Sequence, residues 1–163
     1  MAEPIAKDFG IDKLKKDLEQ LRSEPITIGL QGSTGAAKHP EADVPVAQVA
    51  AWMEYGTEHI PARPFLRQAF DRNEGRFRDA IKRAVSNMID QRGTLDAEQE
   101  RLGQLAAQAV KEMIDRAREW AKPLAAATVK AKGHARPLVD TGTMRESVSW
   151  AVRDGDTIKR QGS

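Results

Sequence analysis

The stretch Ala50-Ala51-Trp52-Met53-Glu54-Tyr55-Gly56-Thr57, which runs through Glu58 and His59 into Ile60-Pro61-Ala62-Arg63-Pro64-Phe65-Leu66, carries the turning point of the chain. Val46, Val49, Ala50 and Met53 recur at helical spacing, and Pro45 suits the first turn of such a helix. Gly56 follows the last turn and is placed to end it in the left-handed conformation. Two prolines at i and i+3, Pro61 and Pro64, force an extended segment over Ile60–Pro64. A helix, a sharp bend and an extended run into the next helix follow from these residues. Arg63 and Glu54 bracket the bend. A buried pair between them would fix it, and two exposed side chains would not.

Outward from this stretch, the N-terminal side begins with Ile11, Leu14, Leu18 and Leu21, separated by Lys, Asp and Glu. This is an amphipathic helix that ends before Pro25. Ile26, Ile28 and Leu30 alternate with Thr27, Gly29 and Gln31, the period of a half-buried strand. Gln31 to Pro40 reads as a flexible loop. On the C-terminal side, Phe70, Phe77, Ile81, Ala84, Val85 and Met88 predict one long helix to about Gln91, weakened at Gly75. Gly93 ends it and Thr94 caps the next helix. Leu95, Leu102, Leu105, Ala109, Met113, Ala117 and Trp120 carry that helix to Pro123. The two form an antiparallel helical hairpin.

Residues 123–137 read as a mobile basic arm with Lys130, Lys132, His134 and Arg136. A second punctuated segment follows, about 80 residues beyond the first: Pro137-Leu138-Val139-Asp140-Thr141-Gly142-Thr143-Met144-Arg145-Glu146-Ser147. Val148, Trp150 and Val152 then alternate as a strand, available to pair across a subunit boundary. Asp154-Gly155 is a hairpin turn signal with Thr157–Lys159 as its return. The fold class expected is α+β: a small antiparallel or mixed β-sheet packed against a long helix, with an additional helical hairpin, in a single domain spanning residues 1–163.

Composition narrows the functional classes. The 163 residues hold 26 Lys and Arg against 24 Asp and Glu, a net charge of +2. That balance gives no general electrostatic case for nucleic-acid binding. The absence of cysteine removes disulfides and thiolate metal sites. The start of the chain lacks the apolar core of a signal peptide, and no run approaches the roughly 20 apolar residues of a membrane span. Expected localisation is therefore cytoplasmic synthesis with no membrane partner.

Candidate chemistry is thin. Leu138-Val139-Asp140-Thr141-Gly142-Thr143 resembles the active-site loop of aspartic proteases. Such a site needs two carboxylates sharing a proton across a cleft, and too few residues follow Gly142 to build the β-rich remainder. A turn capped by Asp140 is the plainer reading. Gly32-Ser33-Thr34-Gly35-Ala36-Ala37-Lys38 has the look of a phosphate loop but puts Ala37 and His39 where Gly and Ser/Thr are required. His39, His59 and His134 lack helical i, i+4 partners and read as loop histidines. The run Arg63, Arg67, Arg72, Arg76, Arg78, Lys82 and Arg83 reads as a solvated face offset by Asp71, Glu74 and Asp79. No catalytic, metal or cofactor-binding residue is expected.

Taken together and in this order, the Glu54–Leu66 and Leu138–Val148 segments resemble the neck and tail-completion proteins of tailed bacteriophages and prophages. The resemblance runs from the Ile26 strand through the Trp150 strand; the region Gln91–Pro137 is long for that pattern. It implies a non-enzymatic virion protein at the head–tail junction, a small sheet crossed by a long helix, and a homo-oligomer in or on a ring, six- or twelve-fold by analogy. Partners implied are neighbouring neck, head-closure, tail-terminator or tail-tube proteins, with incidental contact to DNA in the channel. Residues implied to determine shape or assembly are Glu54, Tyr55, Gly56, Thr57, Pro61, Arg63, Pro64, Phe65, Asp140, Thr141, Gly142, Arg145 and Ser147. The competing expectation is a bacterial protein–protein interaction or regulatory module.

Overall fold

A computed structural model describes residues 11–40, 42–138 and 141–163. In chain order they form α1 (Ile11–Ser23), β1 (Ile26–Leu30), α2 (Gly32–Ala36), β2 (Lys38–His39), β3 (Ala42–Pro45), α3 (Val46–Tyr55), α4 (Phe65–Arg72), α5 (Glu74–Ile89), α6 (Leu95–Asp115), α7 (Ala117–Trp120), α8 (Ala126–Lys132), α9 (Thr143–Glu146), β4 (Val148–Asp154) and β5 (Thr157–Gly162). The architecture is α+β, as the periodicities require.

Three strands make an antiparallel sheet in the order β1-β4-β5, and β2 pairs with β3 separately. Ile28 lies opposite Trp150, and Asp154 opposite Thr157 across a tight turn. Strand β4 is central and paired on both edges. It therefore has no free edge with which to pair across a subunit boundary, contrary to the expectation for Val148–Val152; β1 and β5 hold the outer positions.

The long helix on the sheet is α6, not the one that follows Pro64. Helix α6 packs on β1 and β4 with one side and on α4 and α5 with the other, giving sheet, helix and helix-pair layers. The antiparallel hairpin is present: Asn87 Nδ2 donates to Glu98 Oε1 at 3.0 Å, and Arg76 reaches Glu112 at 3.4 Å near the other end. The Thr94 cap forms as expected, its hydroxyl accepting the Ala97 N–H.

The core centres on Trp150. A Cβ on Gly103 of α6 would lie 2.5 Å from the indole, and one on Gly162 of β5 would lie 2.7 Å from its Nε1. The ring is thus clasped between two glycines, and only hydrogen at both positions leaves room for it. Phe65, Val46, Val110, Ile114, Val148 and Val152 complete a fully buried cluster around it.

Three expectations about local structure are corrected. The long helix after Pro64 breaks at Asn73 (φ −111°, ψ 13°) rather than weakening at Gly75. The cause is side-chain competition: Asn73 Nδ2 takes the Ala69 carbonyl at 2.8 Å, leaving its own N–H to reach Phe70 O at 3.2 Å. The segment Gln31–Pro40 is not a loop throughout. It contains α2, tied down by the Thr34 hydroxyl, which lies 2.9 Å from Gln31 O and 3.3 Å from Ser147 O. The 123–137 segment is not irregular throughout either. It holds α8, ended by Gly133 in the left-handed conformation.

Candidate functional site

The two punctuated segments, distant in sequence, meet at one cleft of about 610 Å³. Trp52 and Met53 of α3 with Ile60 and Pro61 form one wall. Leu138, Thr141, Gly142 and Met144 form a second. Leu124, just ahead of α8, forms the third with Thr128 and Lys132 of α8, and Arg63 lines the cleft between them.

The bend is built as follows. Gly56 has φ 79° and ψ 174°. The positive φ is as expected, but the ψ is extended, a combination open essentially only to glycine. A Cβ there would also lie 2.9 Å from both Ala62 N and Ile60 O. Thr57 closes the loop by donating its N–H to Ile60 O at 2.8 Å and accepting the Ile60 N–H on its hydroxyl at 3.0 Å. Pro61 is exposed. Pro64 (φ −73°, ψ 72°) is the centre of an inverse γ-turn, with the Phe65 N–H donating to Arg63 O at 2.8 Å. Phe65 then enters the core, wholly buried.

Glu54 and Arg63 are both buried, yet they do not pair with each other. The Glu54 carboxylate accepts the Leu66 N–H at 2.9 Å and the Arg67 N–H at 3.2 Å, capping the start of α4. It also pairs with Arg67 Nε at 2.9 Å, while Arg67 Nη2 donates to the Glu54 carbonyl at 3.0 Å. A carboxylate at a helix N-terminus meets unpaired N–H groups and the positive end of the dipole. Tyr55 is exposed, with the Arg67 guanidinium 5.5 Å from its ring centroid.

Arg63 points the other way. Its N–H donates to Met53 O at 2.7 Å, its Nε to Lys122 O at 3.0 Å and its Nη2 to Pro123 O at 3.3 Å. Burial pushes its pKa down from the ordinary arginine value. A buried guanidinium satisfied by carbonyls, with no carboxylate beside it among the described residues, acts as a cross-tie. It ties the bend to the chain entering α8.

In the second segment Asp140 lies outside the described residues, so its expected capping role does too. The Thr141 and Thr143 hydroxyls share a 2.6 Å hydrogen bond, and Gly142 (φ 86°) starts α9. Arg145 pairs with Asp115 of α6 at 2.7 Å, a contact that raises its pKa. Ser147 is buried and ends α9, its carbonyl taken by Thr34. Leu138 is buried in the left-handed region (φ 61°), a conformation that costs a non-glycine residue of order 1 kcal/mol or more.

The structure thus gathers Arg63, Pro61, Thr141 and Gly142 at the cleft. Glu54, Tyr55 and Arg67 sit behind the bend, and Arg145 of α9 reaches Asp115 of α6. Sequence reasoning missed Arg67 as the partner of Glu54 and the strained Leu138. It also missed the cleft-lining side of α8, although the four-residue spacing of Thr128 and Lys132 could have revealed it. His39 and His59 line the cleft rim, while His134 lies apart. Among the described residues no cluster of three or more His, Asp or Glu is disposed to hold a metal ion, and no helix is long and apolar enough to cross a membrane. The described lining is apolar with basic groups at intervals, the chemistry of a docking groove.

By fold and site the chain is an α+β protein whose special residues shape a cleft between a glycine–proline bend and a helical strap. Comparison with family models, with curated proteins and with solved structures gives no match.

Proposed function

We propose that this chain is a structural protein of the head–tail junction of a tailed bacteriophage, a neck or tail-completion protein that assembles in or on a ring. The observation that carries the reading is the convergence of the Glu54–Leu66 and Leu138–Ser147 segments on one cleft. Their distinctive residues go into shape: Gly56 sets the bend, Pro64 the entry to α4, Glu54 the cap and Arg63 the tie to the strap. A ring needs repeated, rigid edges, because small angular errors accumulate around it. The bend and strap provide such an edge, and the apolar cleft provides a seat for a neighbouring protein. In this reading the chain has no reaction to run.

The test is complementation of a phage or prophage lacking the gene. Gly56→Val and Arg63→Ala should impair head–tail joining, leaving unjoined heads and tails in micrographs, whereas Glu58→Gln on the exposed loop should not. Deleting 128–135 should leave a folded chain that joins poorly. Normal infectious yields from all of these variants would overturn the reading.

A further inference from the structure

Helix α1 buries none of its residues. Its apolar stripe, Ile11, Leu14, Leu18 and Leu21, leaves Ile11 54% and Leu18 46% exposed. A second uncovered apolar surface lies on α4 and α5, where Phe70 and Ile81 are 42% and 51% exposed and the Phe77 ring packs against Phe70, tilted, with centroids 5.3 Å apart. We infer that these surfaces are two halves of one contact, in which α1 of one copy lies in the Phe70–Phe77–Ile81 groove of another. The inference rests on the self-assembly part of the proposed function and names its interface.

Length and charge both fit. Ile11 to Leu21 spans about 15 Å along a helix, and the groove runs over a similar number of residues from Phe70 of α4 to Ile81 of α5. Along α1, Lys13, Lys15 and Lys16 precede Asp17 and Glu19, with Asp12 and Arg22 outside them. Along the groove, Asp71 and Glu74 precede Arg78 and Lys82. Laid parallel, the basic half of α1 faces the acidic end of the groove, and its acidic half faces the basic end. The internal pair Arg78–Glu74 is exposed and re-partners at little cost; in Lys13–Asp17 the lysine is exposed and the aspartate largely covered.

The groove belongs to another copy because α1 is anchored on the sheet side. Two residues, Glu24 and Pro25, separate it from β1. Glu24 is pinned there by Lys159 Nζ at 2.5 Å and by Gln99 Nε2, which donates to its carbonyl at 2.9 Å. The groove lies beyond α6. Two different surfaces meeting make a heterologous contact, which closes into a ring or runs on.

Light scattering on the full chain over a concentration series tests this. Wild type should associate. Leu14→Glu/Leu18→Glu and Phe70→Glu/Ile81→Glu should each stay monomeric with unchanged circular dichroism. Mixed, the two variants retain one good stripe and one good groove between them and should form a one-to-one dimer that grows no further. A wild type that remains monomeric at the highest concentration, a stripe variant that assembles like wild type, or a mixture that stays monomeric overturns the inference. Failure here is separable from failure of the virion reading: a chain found in particles whose stripe variant still assembles sinks only this contact. A chain that assembles through the stripe but is absent from particles sinks only the virion reading.

Discussion

Helices α1 and α6 look alike on paper and differ in the molecule. Both carry apolar residues at three- and four-residue spacing with charges between. Helix α6 buries ten residues, from Leu95 to Ile114, whereas α1 buries none. Periodicity reveals that a helix has an apolar face; it says nothing about what covers that face. In α6 the difference lies in Gly103, Ala106, Ala107 and Ala109, small residues that let neighbours approach closely. Helix α1 carries only Leu and Ile on its stripe, the composition of a face awaiting a partner.

The largest expected effect lies on the α6 side of that comparison. Trp150→Ala removes the ring clasped by Gly103 and Gly162 and should cost about 3–5 kcal/mol in urea unfolding. Gly103→Ala should cost about 1–3 kcal/mol through overpacking. Part of that loss should return in the Gly103→Ala/Trp150→Leu double variant, since touching residues couple. If Gly103→Ala were neutral, the clasp would be wrong and α6 would pack more loosely than its burial indicates.

At the bend, Glu54→Ala leaves the Leu66 and Arg67 N–H groups without their acceptor and should cost about 1–3 kcal/mol. Glu54→Gln, which keeps an acceptor, should cost less. A reversed order would show that the Arg67 charge pair, rather than the cap, holds α4.

Where α1 joins the sheet, the Lys159 hydrogen bond holds the Glu24 pKa below the ordinary glutamate value, with help from Gln20. The folded value lies below the unfolded one. The contribution to stability is therefore full above the unfolded pKa and fades as pH falls through the folded one. Lys159→Met should lower stability at neutral pH, and its difference from wild type should shrink as pH falls through the acid range, flattening that limb of the stability curve. An unchanged acid limb would remove this anchor from the account. The smallest effect is expected on the α1 stripe: Leu14→Glu/Leu18→Glu should change unfolding of the isolated chain by under about 0.5 kcal/mol. A large loss would mean that α1 is covered within its own chain.

Much of the fold was legible because local signals and tertiary demands agree. Ile26–Leu30 alternates and is a strand; Thr94 caps; Asp154-Gly155 precedes a real return strand; Gly56 needs a positive φ. Legibility fails where a long-range hydrogen bond decides. Helix α2 depends on Thr34 reaching Ser147 O, and the break at Asn73 depends on one side-chain amide choosing Ala69 O. At the candidate site the two segments were visible as punctuation, but their convergence was not. Nothing in the spacing of Glu54, Arg63 and Arg67 says that the carboxylate turns to Arg67 while Arg63 crosses to Lys122 and Pro123.

Quantitative mass spectrometry of tailed particles purified from cells carrying the gene tests the virion reading most directly. The account predicts several copies of this chain in every joined head–tail particle. Infectious particles free of the chain would contradict it.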